Sequence, residues 1–306
     1  MTRPTRATDA GRAYLDLQNV ARVERRGTQE LLTLYVVERW LARLSESRHA
    51  SDFVVKGGML LAAYQSRRPT ADLDALVRSI SNDAETVRSL VTEIAQLPMN
   101  DGVDYLHLTT NSQTIRDQAL YAGVRITMDC AIATARVKFR LDANFGDPVT
   151  PSPVSVRIPS LRPDLPPVRV LGYPVETVLA EKIATAIALG PANTRVRDYA
   201  DIYILTGNHT ITHRVARRAL LATTRFRRTP LIPLSSIVGN IADLRARTYN
   251  TYRASIGNAG RQLPTGFLPV VQATTDFADA LATNAAPSAV WDPRIRRWVN
   301  APGATH

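Results

Sequence analysis

The chain has 306 residues, 45% of them hydrophobic, which is enough to form a globular protein with a large core. Its formal net charge of +11 favours a polyanionic partner such as nucleic acid, although an excess of arginine over lysine is also typical of GC-rich coding sequence. The single cysteine, Cys130, excludes an internal disulfide and a multi-cysteine zinc site. No apolar run approaches the roughly 20 residues that span a bilayer, and the first residues lack a signal-peptide core, so we expect a cytoplasmic protein.

The first half of the chain mixes helical and strand patterns. Apolar residues recur at helical spacing from about Asp9 to Ser47, with a break at Arg26 and Gly27, which predicts two amphipathic helices. The run "GGMLLAAYQS" predicts a third helix, "TADLDALV" a short strand, and "SNDAETVRSLVTEIAQL" a further capped helix. The alternating runs "GVRITMDCAI" and "VKFRLDANF" predict adjacent antiparallel strands that extend the same sheet.

The second half is mainly helical in pattern. Seven prolines between Pro148 and Pro167 predict an extended connector or an edge segment, and we place a boundary there between lobes 1–167 and 168–306. Five later stretches show helical patterning, and the last residues are expected to be a tail anchored by Trp291 and Trp298. The predicted fold class is therefore α/β (α+β), with a small mixed sheet in the N-terminal lobe and a mainly helical C-terminal lobe.

Two short patterns near the start of the sheet point to phosphate chemistry. Alternate side chains of a strand share a face, so Asp72 and Asp74 in "DLDALV" project their carboxylates together. Two such carboxylates can hold Mg²⁺ together with substrate phosphates. The diglycine Gly57 and Gly58 lets the backbone approach a ligand closely, and the N–H groups that open a helix bind phosphate. Each pattern alone is also common on solvated strands and in ordinary turns.

Four blocks between Val55 and Leu205 occur in the order found in a known family. They are "GGMLL" followed by "RPTADLD", "AGVRI" followed by "FRLDANFGD", "ETVLAEKIATAI" and "NTRVRDYADIYIL". Together they resemble the nucleotidyltransferase-like toxins of the AbiEii and MenT group, within the DNA polymerase β-type nucleotidyltransferase superfamily. The resemblance implies a bilobed nucleotidyltransferase fold with the active site between the lobes. The chain departs from the family at two places. The family often has serine at one of the two positions Gly57 and Gly58, and it often has lysine at the position of Arg197.

The resemblance implies a metal site on the sheet. Asp72 and Asp74 would be ligands of Mg²⁺ or Mn²⁺, and superfamily members usually add a third carboxylate from a neighbouring strand. Asp142 is the candidate for this third ligand, because it alternates with the apolar residues of "VKFRLDANF". Asp129 in "RITMDC" is the alternative.

The resemblance also implies roles in binding the NTP substrate. Lys182 would contact nucleotide phosphates, and Asp198 or Asp201 would be an essential acid of the second lobe. From the residues alone, Lys182 could equally be a solvated helix position, and either aspartate a partner of a nearby arginine. The expected nucleotide-binding residues are Gly57, Gly58, Arg68, Thr70, Arg125 and Arg195.

The implied reaction is metal-dependent nucleotidyl transfer by a toxin. An acceptor hydroxyl attacks the α-phosphorus of the NTP and expels pyrophosphate, and the implied acceptor is the 3′ end of tRNA, which would block aminoacylation and growth. Such a toxin implies a cognate antitoxin, and some antitoxins of this group act on the residue two before the first aspartate, here Thr70. Phosphate on Thr70 would add about −1.5 to −2 charge beside the metal site.

Two alternatives remain open at the level of sequence. The same fold could transfer a nucleotide to a protein hydroxyl or to a small molecule. From another class, the chain could be a nucleic-acid-binding regulator with an inactive site, which the presence of Asp72, Asp74 and Lys182 disfavours.

Overall fold

The computed structural model describes residues 3–66, 70, 72–115 and 123–300. The predicted nucleotide ligand Arg68 therefore lies outside the described residues. Contacts within the chain group it into two units. The first unit comprises the described residues within 1–63, 67–146 and 154–172, and the second those within 64–66, 147–153 and 173–300.

The first unit is a mixed sheet with helices. Its described strands are β1 (Phe53–Lys56), β2 (Leu73–Val77), β3 (Asp104–Ile115), β4 (Gly123–Ile132), β5 (Ala135–Asn144), β6 (Val154–Ile158) and β7 (Val168–Gly172). Its described helices are α1 (Asp9–Glu24), α2 (Thr28–Glu46), α3 (Gly57–Leu60) and α4 (Ala84–Ala95). The strand order is β3-β4-β5-β2-β1-β7-β6. The pairs β2–β5 and β1–β7 are parallel and the other pairs are antiparallel, which confirms the predicted mixed sheet.

Helix α2 forms the core of this unit against the sheet. Trp40 of α2 packs edge-on against Phe53 of β1 and tilted against Phe139 of β5, with ring centroids 5.6 and 5.4 Å apart. Burial raises the pKa of the Cys130 thiol on β4 to about 12, so this cysteine is a core residue and not a nucleophile at neutral pH. The rigid packing of β1 and β5 fixes the position of side chains on the opposite face of the sheet.

Several predicted elements have different bounds in the structure. The helix predicted over 57–66 is only the four-residue α3 and a 3₁₀ turn at Leu61–Tyr64, because Gln65 adopts a positive φ of 59°. The cap of α4 is Asp83, whose carboxylate accepts a hydrogen bond from the Thr86 amide at 2.8 Å. Strand β3 is absent from the prediction because its side chains are mostly polar and exposed. The proline-rich stretch contributes the edge strand β6.

The second unit is mainly helical, as predicted. Its described helices are α5 (Val175–Leu189), α6 (Val196–Asn208), α7 (His213–Arg227), α8 (Ser235–Val238), α9 (Ile241–Leu244), α10 (Ala246–Ser255) and α11 (Leu268–Thr283). Its described strands are β8 (Ile211–Thr212), β9 (Ala289–Asp292) and β10 (Arg297–Asn300), in the order β10-β9-β8. The helical pattern after residue 234 is divided into three short helices, the first of which ends at Gly239 with a φ of +51°.

The C-terminal hairpin is anchored by two tryptophans, as the sequence indicates. The indole of Trp291 is fully buried and donates to the Thr206 carbonyl at 2.8 Å. The indole of Trp298 donates to the Phe277 carbonyl at 3.3 Å and stacks on the Phe277 ring. Within the described part of the chain, no helix is both long and apolar enough to cross a membrane.

Candidate active site

The centre of the candidate site is a pair of carboxylates on neighbouring parallel strands. In the register of β2 and β5, Asp74 lies directly opposite Asp142. Their neighbours Leu73 and Leu141 are fully buried on the other face, which keeps both carboxylates on the same side of the sheet. Adjacent strands are about 4.8 Å apart, so the two side chains are close enough to share one ligand.

A cation stands on each side of this pair in the same row of the sheet. On β4, Arg125 lies opposite Asp142, and its Nε and Nη2 each donate to an Asp142 oxygen at 2.7 Å. On β1, Lys56 lies opposite Asp74. Like charges opposite one another destabilise a sheet, and opposite charges stabilise it. The row Arg125–Asp142–Asp74–Lys56 therefore tolerates two adjacent carboxylates because a cation neighbours each of them.

The remaining predicted ligand, Asp72, lies on the same face just before β2. Its Oδ1 accepts a hydrogen bond from Nη1 of Arg140 at 3.1 Å. Arg140 is two residues before Asp142 on β5, so its side chain shares the face of that carboxylate. The alternative ligand Asp129 pairs instead with Lys138 at 2.8 Å, four positions along β5 from Asp142. The register therefore places Asp142, and not Asp129, beside Asp74.

The diglycine packs directly against the acidic segment. Gly57 has a φ of +65°, and a Cβ built on it would lie 2.0 Å from Oδ2 of Asp74. A Cβ on Gly58 would lie 2.7 Å from Oγ1 of Thr70, whose hydroxyl donates to the Asp72 carbonyl at 3.1 Å. Neither glycine has room for a side chain. This explains why the chain has glycine at both positions where the family often has one serine, since Thr70 fills the space beside Gly58.

The donor set fits a hard divalent cation. Carboxylate oxygens are the preferred ligands of Mg²⁺, which commonly binds through one or two carboxylates plus substrate phosphates. A bidentate arginine leaves a lone pair on each oxygen of Asp142, because an ionised carboxylate has about four acceptor sites. Among the residues that the structure describes, no group of three His, Cys, Asp or Glu side chains is placed to hold a metal ion. The register of β2 and β5 therefore makes Asp74 and Asp142 the best-supported candidates for metal ligands. The set of three ligands that includes Asp72 stays a prediction.

The second unit brings together the remaining predicted acids and the predicted lysine. Nζ of Lys182 on α5 lies 2.9 Å from Asp198 and 2.7 Å from Asp201, both on α6. The two aspartate side chains are only 3% and 1% exposed, and that of Lys182 is 12% exposed. Arg195 at the start of α6 adds a contact of 2.7 Å to the second oxygen of Asp198. The contacts of Lys182 with Asp198 and Asp201 join α5 to α6, so Lys182 is not a solvated helix position.

The structure therefore groups the predicted residues into two sets and adds two more. Asp72, Asp74, Asp142, Arg125, Gly57, Gly58 and Thr70 lie in the first unit, and Lys182, Asp198, Asp201 and Arg195 in the second. Lys56 and Arg140 are absent from the residues predicted from sequence. Lys56 directly precedes the diglycine, and Arg140 alternates with Asp142 along β5, so both are detectable once the register is known.

Comparison with known proteins identifies the class to which these features belong. The family model described as nucleotidyl transferase AbiEii toxin, of type IV toxin–antitoxin systems, matches residues 39–283. The chain therefore belongs to the AbiEii nucleotidyltransferase toxin family. A search of curated proteins found no match.

Two solved structures that resemble this chain come from bacterial proteins. MenT4, a nucleotidyltransferase toxin of Mycobacterium tuberculosis, is 16% identical with a TM-score of 0.56, and the match covers 88% of this chain and 89% of that chain. JHP933 of Helicobacter pylori is 12% identical with a TM-score of 0.49, covering 85% of this chain and 94% of that chain. The likeness to MenT4 confirms the predicted α/β nucleotidyltransferase fold.

Substituting Gly57→Ala tests the contact between the diglycine and Asp74. We expect nucleotidyl transfer to be lost, because the new Cβ would displace the Asp74 carboxylate. The left-handed backbone should also cost about 1–2 kcal/mol of unfolding free energy. The matched control is Gly239→Ala, at a φ of +51° with no atom within 4 Å of the new Cβ. It should also lose stability, because its positive φ strains an alanine, but it should keep full activity. Equal activity in both variants would contradict the proposed contact.

Substituting Lys182→Met tests whether the lysine holds α5 to α6. Removing one partner of a buried ion cluster should lower the unfolding free energy by about 3–5 kcal/mol, measured by denaturant titration. The matched control is Lys138→Met, whose pair with Asp129 is 57% and 46% exposed and should contribute less than about 1 kcal/mol. Adding Asp201→Asn to Lys182→Met should recover part of the loss. A Lys182→Met protein as stable as wild type would exclude this structural role.

Proposed function

We propose that this nucleotidyltransferase toxin transfers a nucleoside monophosphate from an NTP to the 3′ end of tRNA, in a reaction that depends on Mg²⁺ or Mn²⁺. The observation that carries the proposal is the Asp74–Asp142 pair with Gly57 packed against it. A bound divalent cation would neutralise charge on the phosphates at this pair. The acceptor 3′-hydroxyl would attack the α-phosphorus, and the bond to the pyrophosphate group would break.

The residues of the chain would position the NTP and the acids. Asp74, Asp142 and Asp72 present oxygen ligands on one face of the sheet, and Arg125 and Arg140 hold two of these carboxylates in place. Next to them, Gly57 and Gly58 offer backbone without side chains, so a triphosphate can approach closely. An arginine that already binds a carboxylate is also placed to contact a phosphate oxygen, because a guanidinium has five N–H donors.

The Lys182 cluster would act on the nucleotide through charge and position. With Arg195, its cations match the charge of Asp198 and Asp201, so the cluster is neutral overall. Two N–H donors of Lys182 already go to Asp198 and Asp201, so a triphosphate near the cluster would be met mainly by the fork of Arg195, whose side chain is 48% exposed. We propose that Lys182 and Arg195 contact phosphate while the two aspartates orient them.

The net charge supports RNA as the acceptor. At +11 the chain attracts polyanions, and phosphate contacts by basic side chains contribute much of the affinity of proteins for nucleic acid. A protein or small-molecule hydroxyl would not need this excess of positive charge.

The test is transfer of label from each α-labelled NTP to total tRNA in the presence of Mg²⁺. We expect label in tRNA with one preferred NTP, and a loss of about 10²-fold or more in Asp74→Asn, since several kcal/mol of charge neutralisation depend on this site. The matched control Asp104→Asn removes an exposed carboxylate from strand β3 and should retain full transfer. Label in protein or in a small molecule, but not in tRNA, would contradict the proposed acceptor.

A further inference from the structure

The net positive charge of this chain lies mainly in its last 134 residues. Residues 173–306 contain 16 arginine and lysine side chains against eight aspartates and glutamates, a formal net charge of +8. Residues 1–172 contain 22 against 19 and are close to neutral. Basic residues are about equally frequent in the two parts, so the difference comes from the smaller number of acidic residues after residue 172. Basic side chains in the last part therefore have fewer acidic partners.

Helix α7 and its C-cap hold the densest part of this charge. From His213 to Arg228 the chain has six arginines and no acidic residue. Two of the six are used within the unit, since Arg217 donates to backbone carbonyls of α11, and Arg227 pairs with Glu181 of α5 at 2.8 Å. The other four are exposed, and none forms an ion pair with a described carboxylate. They are Arg214, Arg218, Arg225 and Arg228, here called the α7 arginines.

The α7 arginines form one surface. At 3.6 residues per turn, Arg214, Arg218 and Arg225 lie within about 40° of one another around the helix and extend about 16 Å along it. Arg228 follows at the C-cap, with a φ of 53°. The opposite side of α7, including Ala216 and Leu220, is buried. The exposed side therefore presents a line of guanidinium groups along the length of the helix.

Helix stability explains only the C-terminal part of this line, since Arg225 and Arg228 lie at the end of α7, where the helix dipole favours cations. The first turn of a helix favours acidic side chains, yet Arg214 stands there and no acid does. Arg214 and Arg218 are four residues apart, a spacing at which like charges repel. A face that keeps mutually repelling cations without acidic neighbours is suited to an external polyanion, whose binding would relieve the repulsion.

We propose that the α7 arginines form a docking surface for the phosphate backbone of the acceptor RNA, an inference that rests on the proposed tRNA substrate. Arginine binds phosphate in a bidentate manner, and an extended row of cations follows an extended row of phosphates. The exposed positions of α7 include no aromatic side chain on which a base could stack. The surface would therefore contact the phosphate backbone of the RNA and would not distinguish its base sequence. An RNA held in this way would be recognised by charge and shape, with little dependence on its bases.

The test compares direct tRNA binding by two charge-matched variants over a range of salt concentrations. The first replaces all four α7 arginines with glutamine, which retains a good helix propensity. The control replaces four exposed arginines of the first unit in the same way, namely Arg22, Arg25, Arg157 and Arg169. Both variants lose the same charge, and thermal unfolding verifies that both remain folded.

We expect the α7 variant to bind tRNA at least about tenfold more weakly, with a salt dependence of log K shallower by about 3, since each lost phosphate contact removes about 0.7–0.9 from the slope. The control variant should retain the slope of the wild type. In the transfer assay the α7 variant should show a raised KM for tRNA with an unchanged KM for NTP.

Other outcomes would overturn the inference. Equal weakening in both variants would mean that only the overall charge matters, and unchanged binding in the α7 variant would mean that RNA docks elsewhere. Loss of antitoxin binding without loss of tRNA binding would assign the surface to the antitoxin.

If tRNA is labelled by the α7 variant with the wild-type KM, the inference fails while the proposed function stands. If α7-dependent RNA binding occurs but no acceptor tRNA is labelled, the proposed function fails while the docking surface stands.

Discussion

The candidate site depends on one electrostatic constraint, which is that two carboxylates stand side by side in a β-sheet. Asp74 and Asp142 are register partners on parallel strands, an arrangement that is repulsive unless positive charge compensates it. Arg125 supplies that charge through two hydrogen bonds of 2.7 Å, and Lys56 occupies the corresponding position on the other side. Arg125 and Lys56 thus compensate the two acids within the sheet, and both acids lie on the face where a divalent cation would bind.

The rest of the first unit keeps this row fixed. The core between α2 and the sheet holds β1 and β5 rigidly, and the positive φ of Gly57 turns the chain so that its backbone lies against Asp74. The side chain of Thr70 packs against Gly58 in the same way as Asp74 packs against Gly57. In the second unit, Lys182 bridges two buried aspartates of α6, which links the helices that carry the later family motifs. In each unit, contacts with basic side chains hold the acids in position: Arg125 holds Asp142 in the first unit, and Lys182 holds Asp198 and Asp201 in the second.

The sequence was sufficient for the class of fold and for proposing which acids share a face of the sheet, because alternation along a strand and spacing along a helix are local properties. Asp72, Asp74 and Asp142 follow from strand alternation and family motifs, and the helices α5 and α6 from apolar periodicity. Properties that depend on register are not local. The pairing of Lys56 with Asp74, the position of Asp142 directly opposite Asp74, and the absence of space at the diglycine all require the three-dimensional structure. Strand β3 was missed for a related reason, since a polar edge strand lacks the apolar alternation of a buried one.

The most direct test of the central claim is the affinity of the protein for Mn²⁺, measured by electron paramagnetic resonance or calorimetry in the presence of a non-hydrolysable NTP analogue. If Asp74 and Asp142 form the cation site, Asp142→Asn should weaken Mn²⁺ binding by at least about tenfold, because even the loss of a residue that only supports a metal ligand costs about 10–100-fold. Asp129→Asn is the matched control on β4 and should bind Mn²⁺ as the wild type does. Unchanged affinity in Asp142→Asn, or weakened affinity in Asp129→Asn alone, would contradict the assignment of the site to this carboxylate pair.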